Sequence, residues 1–142
     1  MVEIDVFIVW GSPASGKTTY VKNHMENGDM VIDLDLIKQS ISMREKTGAD
    51  DNLLSVALSI REHIYDLISK RDVNCNNVWV VSGLPRKEER DKLEYRLKAT
   101  KLIPIQATQQ QCNDRALGDN ERKDKAVQLE LIDKWFKLYH YE

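Results

Sequence analysis

The stretch "FIVWGSPASGKTTYVKNHM", residues 7–25, decides how the rest of the chain is read. Gly11, Gly16, Lys17 and Thr18 fit the pattern G-x-x-x-x-G-K-[ST]. The pattern follows a short, nearly continuous apolar run, Asp5 to Trp10, that predicts a strand buried on both faces, and it opens a predicted helix. Glycines in such a turn let backbone N–H groups point inward at phosphate oxygens, and the helix start adds favourable partial charge. Gly11, Ser12, Pro13, Ala14, Ser15, Gly16, Lys17, Thr18 and Thr19 are therefore expected to cradle a nucleoside triphosphate, ATP or GTP. Lys17 would reach the β- and γ-phosphates, and the Thr18 hydroxyl would ligate Mg²⁺. A glycine turn with a purely structural purpose is the alternative, and the flanking strand and helix argue against it.

Working outward, strand and helix signals alternate. Lys17 to about Asn27 reads as a helix with Gly28 as its stop, and "MVIDLD", Met30 to Asp35, as a second strand. A helix beginning at "LIKQSISMRE" runs out at "KTGADDN", and Asp51 to Lys70 carries apolar residues at helical spacing. "VWVVSG", Val78 to Gly83, is a third strand, followed by a charged helix from Arg86 to about Thr100. "LIPIQA", Leu102 to Ala107, is a fourth strand, and Pro104 points to a sheet edge. Thr108 and Gln111 form a capping box for a short helix to Gly118, and a last helix presents Val127, Leu131, Trp135, Leu138 and Tyr139 on one stripe. The expected architecture is a three-layer α/β fold: a mainly parallel sheet of four or five strands with helices on both faces. The 142 residues fit a single domain.

Composition narrows the partners. A net charge of −2 and a pI near 5.9 give no global attraction to nucleic acid or membrane, so any nucleic-acid contact needs a local basic patch. From Arg86 to Lys101, seven basic residues face four acids, which reads mainly as a solvated face. Cys75 and Cys112 lie in no metal-ligand or redox spacing and are read as plain thiols of a reducing compartment. Acidic residues stand where a signal peptide needs basic ones, and the first apolar run is too short for a bilayer, so a cytoplasmic protein is expected.

In "VIDLDLIK", Asp33 and Asp35 are two apart on the expected strand and share a face at its carboxyl end, where α/β sheets bind ligands. One of the two carboxylates, Asp33 or Asp35, can hold the Mg²⁺ shell while the other faces an acceptor hydroxyl. Asp35 as a simple helix cap is the alternative, which leaves Asp33 on a buried strand without a partner. "GSPASGKTTY…VIDLDLIKQSI" resembles the small P-loop kinases, most closely the 5′-hydroxyl polynucleotide kinase branch with its phage-encoded members. The resemblance implies that Asp35 activates the acceptor hydroxyl and that Lys38, where that family more often has arginine, meets an acceptor phosphate.

The resemblance also implies an arginine-bearing lid at about residues 108–124, with Arg115 the first choice and Arg122 the second. Arg44 and Arg86 are further candidates for the acceptor, and Ser82 ends the third strand without the acid that hydrolytic ATPases commonly place there. His63 reads as a partly buried structural histidine. The expected activity is transfer of the γ-phosphate to a hydroxyl of a nucleic-acid 5′ end, nucleoside or nucleotide. Two other readings stand beside it: a small-metabolite kinase of the shikimate or gluconate type, and a P-loop ATPase or accessory module that transfers to no acceptor.

Overall fold

β1 (Asp5–Trp10) and β3 (Asn77–Ser82) lie side by side at the centre of the sheet, with Val6, Ile8, Val9 and Val78 to Val81 all buried. β-branched residues suit such positions because their stiff side chains pack well on a pleated surface covered on both sides. In the computed structural model, which describes residues 3–44, 51–119 and 124–140, the outer strands are β2 (Met30–Asp33) and β4 (Lys101–Pro104). The order is β2-β3-β1-β4 and every pairing is parallel.

The helices are α1 (Lys17–His24), α2 (Leu34–Ser42), α3 (Leu54–Ser69), α4 (Lys87–Leu97), α5 (Gln109–Gly118) and α6 (Lys125–His140). Successive side chains of a strand point to opposite faces. Val6, Ile8, Ile32, Val78 and Val80 accordingly meet Ile37 of α2, Ala57 and Ile68 of α3 and Leu97 of α4. Val9, Trp79 and Val81 meet Val21 of α1 on the other face. Cys112 and Ala116 of α5 pack with Ile132, Trp135 and Phe136 of α6, and this cluster closes over Trp10 and Ala14. The last two helices thus sit against the phosphate-loop turn.

Several boundaries differ from expectation for local reasons. β2 stops at Asp33, not Asp35, because the Asp33 carboxylate accepts the Asp35 N–H at 3.0 Å and starts α2 there. Asp33 is the cap, and Asp35 lies in the first helical turn and not on the strand. α1 ends at His24, short of Asn27, because Met25 turns extended (ψ 155°), so Gly28 belongs to the turn beyond and does not stop the helix. β4 ends at Pro104, after which the Ile105 N–H gives a last bond to the Trp10 carbonyl at 2.8 Å, and among the described residues the sheet holds four strands. The capping box is present in both directions: Thr108 Oγ1 accepts the Gln111 N–H, and Gln111 Oε1 accepts the Thr108 N–H.

Two side chains are placed otherwise than expected. His63 is exposed, because its side of α3 faces solvent. Arg90 is buried, not solvated: its guanidinium lies 4.0 Å from the Trp10 ring centre and donates to the Leu84 carbonyl at 2.9 Å. No described helix is long and apolar enough to cross a membrane.

Candidate active site

The turn between β1 and α1 is shaped by three backbone requirements. Ala14 (φ 61°) and Gly16 (φ 104°) take left-handed conformations, and Gly11 passes so close to the exit of β4 that a Cβ would lie 2.7 Å from the Ile105 carbonyl oxygen. Lys17 Nζ donates to the carbonyls of Gly11 (2.8 Å) and Ser12 (2.7 Å), bracing the start of the loop from its end. Ser15 Oγ is buried without a hydrogen-bond partner among the described residues, a polar atom left for a ligand to satisfy. Among the described residues only the tip of Arg115, at 3.7 Å, stands where a Gly16 Cβ would project. These features fit a phosphate chain. Thr18 and Asp33 line the same space and have the oxygen chemistry that Mg²⁺ takes.

That space is a cleft of about 530 Å³. The loop from Pro13 to Thr19 forms one wall, Asp33 and Asp35 another, and Val81, Ser82, Gly83 and Pro85 continue the floor from β3. Asp33 is 9% exposed, so its carboxylate sits at the bottom, committed to the α2 cap. Asp35 gives its N–H to that cap but keeps its carboxylate uncommitted to any hydrogen bond or ion pair among the described residues. The folding back of the chain at Asp33 therefore brings both acids to the cleft by a route different from the shared strand face expected.

Arg115 of α5 reaches across to donate to the Ser15 carbonyl at 2.7 Å. Of the two arginines expected in the lid, Arg115 is thus on the loop, and Arg122 lies outside the described residues, as does part of the 108–124 segment. Lys38, Arg44 and Arg86 are not among the residues that line the cleft. Contributors that went unread as site residues include Arg61 of α3, and Lys134 and Trp135 of α6. Trp135 Nε1 donates to the Gly83 carbonyl at 2.9 Å, which fixes α6 to the floor. Beneath Arg61, burial pushes the Tyr65 phenol up from its ordinary value, the Arg61 charge opposing and the Asp33 charge adding.

With this geometry in place, the comparisons decide the family. A model described as "AAA domain" matches residues 6–139. The chain belongs to the AAA domain family. The matching domain is of the kinase-like P-loop kind, and the match takes in the loop, all of the sheet but Asp5, and the residues that line the cleft. Among solved structures, a chain of the Pnkp1/Rnl/Hen1 RNA repair complex matches with a TM-score of 0.73 at 15% identity, over 97% of this chain and 44% of that one. The structure of AvrRxo1-ORF1:AvrRxo1-ORF2 with sulphate ions matches with a TM-score of 0.59 at 12% identity, over 98% and 50%. This AAA domain spans half or less of the length of either, and at these identities the likeness is one of fold. No curated protein sequence matches significantly.

Proposed function

We propose that this AAA domain is an ATP- and Mg²⁺-dependent phosphotransferase that moves the γ-phosphate to a hydroxyl of a nucleic-acid 5′ end, a nucleoside or a nucleotide. The observation that carries the reading is the division of labour in "DLD": Asp33 caps α2, and the Asp35 carboxylate has no hydrogen bond or ion pair among the described residues in the cleft that holds Lys17 and Thr18. β3 ends in Ser82, not in an acid that would place a hydrolytic water. The fold shared with a chain of an RNA repair complex accords with a nucleic-acid acceptor.

The chemistry asks little of the protein beyond positioning and charge. The acceptor oxygen forms a bond to the γ-phosphorus as the bond to the β-phosphate bridging oxygen breaks, and that electron pair leaves with the nucleoside diphosphate. Asp35 orients the hydroxyl and takes its proton late, when the oxygen has become acidic, so an ordinary carboxylate suffices. Lys17 and Arg115 supply positive charge on the loop side, where negative charge shifts toward the leaving oxygen. Thr18 and Asp33 would hold Mg²⁺, which supplies charge neutralisation at the phosphates.

An acceptor screen tests the proposal. Purified protein with labelled ATP and Mg²⁺ is offered 5′-hydroxyl oligonucleotides, nucleosides, nucleoside monophosphates, sugar acids, or water alone. Label on the nucleic-acid or nucleoside acceptors is expected. Label on sugar acids only, or release of phosphate at the same rate without any acceptor, would overturn it.

A further inference from the structure

The turn "SGLPR", residues 82–86, holds a strained residue to which the reaction above gives no task. Leu84 takes a left-handed conformation (φ 45°), which is unfavourable for a bulky side chain. Pro85 follows it, and its ring narrows further what Leu84 can adopt. Such a conformation persists only where the surrounding contacts over-determine it.

Three contacts do so here. The Leu84 side chain packs against the core that the sheet shares with α2, α3 and α4. Its carbonyl accepts from Arg90 Nη1 at 2.9 Å, and the carbonyl before it, that of Gly83, accepts from Trp135 Nε1 at 2.9 Å. The two donors, one from α4 and one from α6, are joined through Trp10. The Arg90 guanidinium lies over the Trp10 ring, and the Trp135 ring stacks 6.4 Å from it, centre to centre.

The place of the turn gives the clamp a purpose. β3 runs between β1, which feeds the phosphate loop, and β2, which leads into Asp33 and Asp35. Ser82 stands opposite Trp10 in register, and a Cβ on Gly83 would come 4.0 Å from the Gly11 carbonyl that Lys17 holds. Ser82, Gly83 and Pro85 line the cleft, so the turn floors the gap between donor loop and aspartates. The γ-phosphate and the accepting hydroxyl have to meet across that gap, where a misplacement of about 1 Å lowers the rate about a hundredfold.

We infer that Arg90 is a positioning residue for the transfer. It does not line the cleft. It acts through the Leu84 carbonyl, as Trp135 acts through that of Gly83, and the pair hold the strained turn where hydroxyl and phosphate align. The inference rests on the phosphotransferase reading and adds to it a determinant that touches neither substrate.

The test uses the natural protein, Arg90→Met, Arg90→Lys, Trp135→Phe and the double variant Arg90→Met with Trp135→Phe. Each is assayed with the acceptor that the screen above labels best, oligonucleotide or nucleoside. The readouts are kcat, acceptor KM, ATP affinity, the fraction of consumed ATP that labels the acceptor, and the thermal midpoint. Arg90→Met should lower kcat about ten- to a hundredfold, with acceptor KM and ATP affinity within about threefold, the pattern of an alignment lost in the transition state. The labelled fraction of consumed ATP should fall with it. Arg90→Lys, which keeps a donor for the Leu84 carbonyl, should recover part of the loss, and it takes the place of Arg90→Met in the cycle should that variant not fold. Trp135→Phe keeps a ring and loses only the donor, and the double variant should lose less than the product of the single losses, because both act on one turn. A kcat near that of the natural protein in Arg90→Met, a loss no larger than the loss of folded protein, or fully multiplicative losses would each overturn the assignment. Absence of transfer by the natural protein would instead remove the phosphotransferase reading, and the inference with it.

Discussion

Asp33 and Asp35 stand two residues apart, line one cleft and hold different positions, so paired substitutions separate their roles. Asp35→Asn keeps the backbone N–H that Asp33 accepts at 3.0 Å, so α2 should start as before. It removes the proton acceptor, and loss of a positioned general base lowers kcat by roughly 10²- to 10⁴-fold. Asp33→Asn keeps a capping oxygen, since Asn caps about as well as Asp, but removes a charge from the cleft that Thr18 also lines. It should leave the thermal midpoint near that of the natural protein and raise the Mg²⁺ concentration needed for half-maximal rate. Asp33→Ala removes cap and charge together. The lost cap costs about 0.5–2 kcal/mol, and each kcal/mol lowers the midpoint of a domain this size by roughly 3–5 °C. The assay pairs a thermal melt with a Mg²⁺ titration of the transfer rate. Full turnover by Asp35→Asn would refute its role as base. An unchanged Mg²⁺ requirement in Asp33→Asn, or a midpoint as low as that of Asp33→Ala, would refute the division of labour.

Gly11→Ala drives a Cβ to 2.7 Å from the Ile105 backbone oxygen and 2.9 Å from Ser15 Oγ, and should cost about 1–3 kcal/mol by overpacking. Nucleotide titration should show weakened ATP binding, and a variant with normal melt and normal affinity would contradict the close approach. Arg71 donates to the Ile68, Leu97 and Lys98 carbonyls, each at 2.8 Å, tying the ends of α3 and α4. Arg71→Ala should lower stability in urea by roughly 1.5–3 kcal/mol while kcat stays unchanged, because Arg71 does not line the cleft. Asp29, although burial pushes its carboxyl up, is held below the usual range by hydrogen bonds from the Glu26 and Asn77 N–H groups and Trp79 Nε1. A lowered carboxyl contributes stability that is complete above its unfolded value near 4 and is lost as pH falls through the folded value. Melts between about pH 6 and pH 3 should show Asp29→Asn destabilised at the upper end with a shallower loss in acid, and parallel curves would contradict this.

The loop and the sheet were legible because their signals are local. A Gly-x-x-x-x-Gly-Lys-Thr turn between an apolar run and a helix admits few geometries, and "VWVVS" can be buried on both faces only at a sheet centre. Pro104 announced the edge because it cannot donate, and Thr108 with Gln111 announced the start of α5. Where two local signals compete, the sequence misleads. "MVIDLD" has the look of a longer strand, but the short side chain of Asp33 captured an N–H two residues on and turned the chain into α2. The cleft's outer parts were not legible at all. Arg61 and His63 lie two apart on α3, yet one lines the cleft and the other is exposed. Their fates depend on how α3 is rotated against α2 and the sheet. Arg90 likewise differs from its charged neighbours in what lies beside it, the ring of Trp10 and the Leu84 carbonyl.

The bond from Trp135 to the Gly83 carbonyl means that the last helix is also a wall of the reaction chamber. The cleft draws on residues from Pro13 to Leu138, so its halves come from opposite ends of the described chain. During synthesis the donor loop and both aspartates leave the ribosome long before Leu131, Trp135 and Leu138 do. The floor at Gly83 is therefore completed by a helix 52 residues further along the chain, made only after the loop and both aspartates.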